Sequence, residues 1–415
     1  MSSPTKSYGM IKIDEALEMF YRSIKMDILD TENLTIKNSL DRVLACDIIA
    51  GYYVPQTNQS AVDGYAVSAE DTFSASPSNP ILLRLKTKSA NSDFSIRSGE
   101  AIYVPTGAQI PKGSDAVVMV EYADVIQPDI IQICKSVPPG EDVSWKGEDV
   151  REGETILKIG MKVKPQDLGM LAALKIRSVE VFKKPKVGIL STGNELTSLD
   201  SNNNEDKTID INSHVLEAMT SKIGAEPILL GLVEDDYENL RNKISESLEK
   251  IDLLIVTGGT SKGLFDFTVK AIDSLGKPGV IVHGVAMKPG RPTALASIYG
   301  KPIISLSGYP VAAMIGFYVF VRPLIAQMLG STYELEPIVR ARVTRRIASN
   351  VGIRSFVRVK VSNIDGEYIA EPIRTTGSGI LSSMIYANGL LVIPEDIEGI
   401  DENQEAEIIL FRPIQ

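Results

Sequence analysis

The stretch Lys186-Val187-Gly188-Ile189-Leu190-Ser191-Thr192-Gly193-Asn194-Glu195-Leu196 sets the pattern: an apolar strand that runs out into small and polar residues. The pattern recurs where DLLIV leads into Thr257-Gly258-Gly259-Thr260-Ser261-Lys262-Gly263, and where PIISL leads into Ser307-Gly308-Tyr309-Pro310. A fourth apolar run, PILLGLV, is followed by Asp235 and Asp236. Helical patterns fall between these runs, near Ser213 to Ile223, Asp236 to Lys250, Asp266 to Leu275 and Pro310 to Leu329. Such alternation predicts an α/β domain whose parallel sheet is covered on both faces. Ligands of such sheets bind outside the carboxyl ends of the strands.

Outward from this domain the pattern changes. Ile13, Ala16, Leu17, Phe20 and Ile24 recur at helical spacing near the start. From about Ser39 to Cys134 short apolar runs are cut by Gly, Pro, Asn and Ser, which reads as β structure. Pro165 suits the first turn of a helix running to about Leu174. After Glu336 the runs VRARVTR, SFVRVKV, YIAEPI, GLLVIPED and AEIILF read as a small terminal β-domain. A chain of 415 residues exceeds one hydrophobic core, so several domains are expected.

Composition narrows the chemistry. With 43 basic against 53 acidic residues the net charge is −10, which argues against nucleic-acid or anionic-membrane partners while leaving local anion sites open. Cys46 and Cys134 form no CxxC pair and His214 and His283 are the only histidines, so thiolate zinc and multi-histidine sites are excluded. Metal chemistry would be that of carboxylates and Mg²⁺. The few cysteines fit a reducing cytoplasm. MSSPTKSYGMIKIDEAL lacks a signal-peptide core, and the apolar run Val311 to Val321 ends at Arg322 and Pro323, which reads as a buried helix.

A single Gly/Ser/Thr loop is ordinarily a tight turn. Three at one sheet edge form a phosphate cradle: Ser191, Thr192 and Gly193; Gly258, Gly259, Thr260, Ser261 and Gly263; Ser307, Gly308 and Pro310. Neither GxxxxGK[ST] nor GxGxxG is present, which disfavours P-loop NTPases and Rossmann dinucleotide enzymes. Glu195, Asp235, Asp236 and Asp266 accompany the loops and suit Mg²⁺, although Asp236 and Asp266 equally suit helix caps. Met287-Lys288-Pro289-Gly290-Arg291-Pro292 holds two cations in a stiff segment, either a solvated pair or an oxyanion clamp. SAVDGYA (60–66) and PTGA (105–108) read as turns on their chemistry alone. The terminal basic residues Arg340, Arg342, Arg345, Arg346, Arg354, Arg358 and Lys360 read first as a solvated β-face and second as an anion site.

Together SAVDGYA (60–66), PTGAQIPKGSDAVVMVE (105–121), GEDVREGETIL (147–157), STGNEL (191–196), VTGGTSKGLFDFT (256–268), MKPGRP (287–292) and LSGYPVAAMI (306–315) closely resemble the molybdenum insertases, the MoeA and gephyrin E-domain family of molybdopterin molybdenumtransferases. The resemblance covers nearly the whole chain. It implies an elongated homodimer with a discontinuous dimerisation domain (10–48 and 143–181), an inserted β-rich domain (49–142), an α/β molybdopterin-binding domain (182–330) and a C-terminal β-barrel (335–415). It further implies Mg²⁺-dependent cleavage of adenylylated molybdopterin with release of AMP, and transfer of molybdate to the pterin. Molybdopterin adenylyltransferase and downstream molybdoenzymes are the implied partners.

By resemblance, Asp63 and Thr106 match the functional Asp and Thr of the DGYA and TGA segments, completing the site from the other protomer. Glu195, Asp235 and Asp266 match functional acids, with Glu195 and Asp266 assigned to Mg²⁺ or phosphate. Lys288 and Arg291 match the oxyanion cations. Ser383, with Arg354 or Arg358, resembles residues that receive molybdate. Three departures stand out: Ser305-Leu306-Ser307-Gly308-Tyr309-Pro310-Val311-Ala312 replaces the usual GLPGNPVS, Lys262 replaces a small apolar residue, and Arg291 replaces a common lysine. They leave open a tungstate-inserting paralogue or a non-catalytic molybdopterin-binding scaffold.

Overall fold

Strands Lys186–Thr192, Glu226–Val233, Leu253–Gly258 and Lys301–Leu306 form, with three others, a seven-stranded sheet. The computed structural model describes residues 7–24, 29–87, 94–201, 206–258, 265–331, 336–374 and 377–414. The four expected strands are parallel neighbours. Beyond Lys301–Leu306 lie Ala294–Ile298, Pro278–Val285 and Ser7–Ile11, three strands the sequence pattern does not announce. Ala294–Ile298 runs antiparallel to both its neighbours, so the sheet is mixed rather than wholly parallel. The reason is covalent: a short segment joins Val285 to Ala294 and cannot carry the helical crossover that a parallel neighbour needs.

Both faces are covered. Helices Tyr237–Leu248 and Phe265–Ser274 lie on one side, where Leu240, Ile244, Ala271 and Ile272 pack onto Leu254 and Val256. Ile13–Ser23, Ile211–Lys222 and the helical run from Pro310 cover the other. That run continues from Pro310–Gly316 through a π-helical turn, Phe317–Val321, into Arg322–Met328. By length and composition it suffices to cross a membrane, yet 67% of its apolar window is buried and Val311, Ile315 and Leu324 are fully enclosed, the burial of a core helix. Ile13, Ala16 and Phe20 enter the same core as Val282 and Leu295. By packing, the N-terminal strand and helix therefore join the α/β layer, whereas the sequence reading groups residues from 10 onward with the dimerisation segments.

Two further β units follow. Strands Thr31–Thr35 and Ser178–Phe182 pair across a long sequence separation, and Leu44, Val163, Leu171 and Val181 form a small core beside helix Pro165–Ala173. A six-stranded sheet is built from Ala116–Met119, Gly64–Val67, Glu100–Val104, Ile81–Lys86, Ile130–Ile133 and Ala123–Gln127.

At the C-terminus, strands Arg354–Ile364, Glu367–Arg374, Ile338–Val343, Glu405–Leu410 and Gly389–Ile393 close on themselves as a five-stranded barrel. Strand Met287–Lys288 leaves the α/β domain and pairs in parallel with Arg354–Ile364 of this barrel. Beside that junction Arg354 is held by two carboxylates. Its Nε and Nη2 donate to Glu395 at 2.8 and 3.1 Å, and Nη1 and Nη2 donate to Asp14 at 3.2 and 2.8 Å. The guanidinium hydrogen bond holds the Glu395 carboxyl below its ordinary value.

A group with a depressed folded pKa stabilises above its unfolded pKa, and that stability is lost as pH falls through the folded value. Arg354→Ala is therefore expected to lower unfolding free energy by about 2 kcal/mol at neutral pH. In urea titrations the deficit relative to the parent chain should shrink below about pH 4. An unchanged midpoint at pH 7 would show that the clamp contributes nothing.

Candidate functional site

The carboxyl ends of Lys186–Thr192, Leu253–Gly258 and Lys301–Leu306 lie side by side and open into a cavity of about 690 Å³. Thr192, Glu195, Asp235, Gly258, Gly308 and Pro310 line it. Convergence here is tight. Gly258 has φ +115°, and a β-carbon on it would lie 1.8 Å from the Thr192 carbonyl oxygen. Only glycine lets the two strand ends approach this closely.

Asp235 organises the first loop. Thr192 Oγ1 donates to its Oδ1 at 2.7 Å, the Asn194 amide donates to its Oδ2 at 3.3 Å, and its own amide donates to Asn194 Oδ1 at 3.0 Å. The next acid, Asp236, caps helix Tyr237–Leu248 by accepting from the Asn239 amide at 2.9 Å, which settles its reading as a cap. Ser191 is buried behind the loop, its hydroxyl 3.2 Å from that of Thr257. Gly259, Thr260, Ser261 and Gly263 lie outside the described residues, as does the side chain of Asp266.

The cations line a second cavity of about 470 Å³. Lys288, Arg291 and Ser307 from the α/β domain face Ser355 and Arg358 from the barrel. Arg358 is 2% exposed, and its Nε donates to Ser383 Oγ at 3.3 Å, while that hydroxyl donates to the Ile380 carbonyl at 2.6 Å. Ser383 is thus enclosed behind Arg358 and does not line the cavity. Of the two candidate arginines, Arg358 faces the cavity and Arg354 is spent on its carboxylates. Arg340, Arg342 and Arg346 pair with Glu407, Glu367 and Asp401, the solvated face expected of them. Tyr309 lines both cavities.

Asp63 and Thr106 come together elsewhere, on the six-stranded sheet. The Thr106 amide and hydroxyl donate to Asp63 Oδ1 at 2.7 and 2.9 Å. These bonds hold the Asp63 carboxyl below its ordinary range. Gly64 beside it must be glycine because a β-carbon there would sit 2.4 Å from the Val118 carbonyl oxygen. Neither Asp63 nor Thr106 lines either cavity of its own chain.

Sequence reasoning does not single out Asp210 and Asn212, which also line the larger cavity. Asp210 caps helix Ile211–Lys222, a signal legible as an acid just before a helical run. Asn212 donates from Nδ2 to the Gly308 carbonyl at 2.8 Å and so fixes a loop distant in sequence, which no local pattern reveals.

Fold and cavities together define an α/β domain whose loop-lined cleft adjoins a cationic cavity walled on one side by a β-barrel. Three family models match in sequence order: the MoeA N-terminal region (domain I and II) over residues 11–174, the "probable molybdopterin binding domain" over 188–327, and the MoeA C-terminal region (domain IV) over 340–411. A Methanocaldococcus jannaschii protein named for molybdopterin biosynthesis is 38% identical over 99% of this chain and 98% of its own. The molybdopterin molybdenumtransferase of Bacillus subtilis is 32% identical over 97% of this chain and 94% of its own. The crystal structure of a molybdopterin biosynthesis MoeA protein from Pyrococcus horikoshii is 36% identical, with a TM-score of 0.81 over 97% of this chain and all of that one. The chain belongs to the MoeA family.

Removing one of the two donors to Asp63 should release its carboxyl. In Thr106→Val, the Asp63 carboxyl followed by NMR is expected to titrate at higher pH than in the parent chain, toward an ordinary aspartate. An unmoved titration would mean that the hydroxyl does not act on it.

Proposed function

We infer that this chain is a molybdopterin molybdenumtransferase that binds adenylylated molybdopterin, cleaves it with release of AMP, and inserts molybdate into the pterin dithiolene. The observation that carries the reading is the shared wall: the loop from Ser307 to Pro310 borders both the cleft of small-residue loops and the cationic cavity. Phosphates suit the first, with its backbone N–H groups and hydroxyls, and a tetrahedral oxyanion suits the second. Lys288 and Arg291 would hold the oxyanion, with Arg358 behind them.

In this reading Asp235 is a positioning residue, because its carboxylate is committed to the Thr192–Asn194 turn. Among the described residues no group of three or more His, Cys, Asp or Glu side chains can hold a metal. Mg²⁺ requires no such group, since it takes one or two protein carboxylates and completes its shell with water and phosphate. Glu195 lines the cleft and fits that demand, with Asp266 as the second candidate. When bound, the ion neutralises phosphate charge.

Asp63 and Thr106 complete the site from the other protomer of a homodimer, where the Asp63 carboxylate, held by the Thr106 amide and hydroxyl, orients a reacting oxygen. The substrate is supplied by a molybdopterin adenylyltransferase and the product is passed to molybdoenzymes, all in the cytoplasm, with neither nucleic acid nor membrane as partner.

The test is anaerobic turnover of adenylylated molybdopterin with Mg²⁺ while molybdate and tungstate are titrated in parallel. Expected are oxyanion-dependent AMP release and metal incorporation, both reduced about 100-fold in folded Asp63→Asn and Lys288→Ala variants. Tight pterin binding without AMP release would instead identify a scaffold.

A further inference from the structure

We propose that Tyr309 is the aromatic platform on which a planar ring of the substrate stacks. The inference rests on the reading of the cleft as the molybdopterin site and goes beyond it. Tyr309 is the one aromatic side chain among the described residues that line the larger cavity, and it is 55% exposed although it sits in the wall between two cavities. An exposed ring in an otherwise small-residue loop has no core to fill.

Its surroundings fix where the ring stands. The Tyr309 amide donates to Ser307 Oγ at 3.3 Å, and the preceding Gly308 carbonyl accepts from Asn212 at 2.8 Å. Pro310 follows as the first residue of helix Pro310–Gly316, and the Val311 amide donates to the Ser378 carbonyl of the barrel domain at 3.1 Å. The ring lies against Gly379: a β-carbon there would stand 3.1 Å from Tyr309 Cδ1 and 3.4 Å from Cε1. Backbone contacts on both sides thus hold the residue while more than half of its surface stays open.

Ile209 and Ile211, 36% and 37% exposed, supply further apolar surface to the same cleft. A planar, π-bonded heterocycle satisfies such a subsite, because aromatic stacking needs a ring face and tolerates different rings. Adenylylated molybdopterin carries two such rings, adenine and pterin, so the shared chemistry is a nitrogen heterocycle attached to a phosphate.

The experiment measures anaerobic binding of three probes by calorimetry: AMP, molybdopterin and ribose 5-phosphate, the last having a phosphate and no ring. Tyr309→Phe keeps the ring, and Tyr309→Leu keeps bulk without it. Expected is a loss of about tenfold in affinity for AMP, molybdopterin or both in Tyr309→Leu, with Tyr309→Phe close to the parent chain and ribose 5-phosphate unchanged. A loss confined to one ring-bearing probe identifies which ring stacks. Equal affinities in parent and Tyr309→Leu would overturn the proposal, as would an equal loss for ribose 5-phosphate, which would make Tyr309 part of the phosphate wall. Failure of the parent chain to bind molybdopterin at all would instead count against the functional reading, so the two failures are distinct.

Discussion

The closest approach at any described glycine is that of Gly258 to the Thr192 carbonyl, where a side chain has no room. It brings two strand ends together, and the loops that follow them inherit that proximity. Asp235 then ties down the turn after Thr192, Asn212 ties down the Gly308 carbonyl, and three segments far apart in sequence border one cleft. Apolar burial on both faces of the sheet supplies the rigidity. Val187, Leu254 and Ile304 are wholly enclosed, so the edge on which the loops stand is fixed by a packed core.

The cationic cavity depends on a second junction. Met287–Lys288 is a strand of the barrel sheet although the chain around it belongs to the α/β domain, so Lys288 is positioned by both units at once. Arg354 secures that junction by binding Asp14 from the N-terminal helix and Glu395 from the barrel. Its charge therefore serves architecture, while Arg358, four residues further along the same strand, turns toward the cavity. Identical residue types on one strand divide into a structural and a cavity-lining arginine according to what each meets.

Much of this is legible in the sequence because it is local. The apolar runs locate the four parallel strands, and Pro165 and Pro310 begin helices as their fixed φ favours. What escapes is non-local. Pro278–Val285 contains glycine and histidine, and Ala294–Ile298 is short, so neither reads strongly as a strand until the sheet surrounds it. The helical spacing of Ile13, Ala16 and Phe20 reveals an apolar face but not which layer it covers. Ser383 carries the right chemistry for a ligand, yet its hydroxyl is consumed by Arg358 and Ile380, a fact of packing that composition cannot encode. Tyr309 is legible as a departure, and its meaning comes only from the two cavities it separates.

The proposed site is in two halves, since Asp63 and Thr106 border neither cavity of their own chain. The most direct measurement mixes Asp63→Asn subunits with Lys288→Ala subunits, lets the dimers exchange, and follows molybdenum incorporation. Each mixed dimer would hold one site built from two intact halves, so statistical pairing predicts recovery to roughly a quarter of the parent rate. A mixture as inactive as either variant alone would contradict a site shared between protomers.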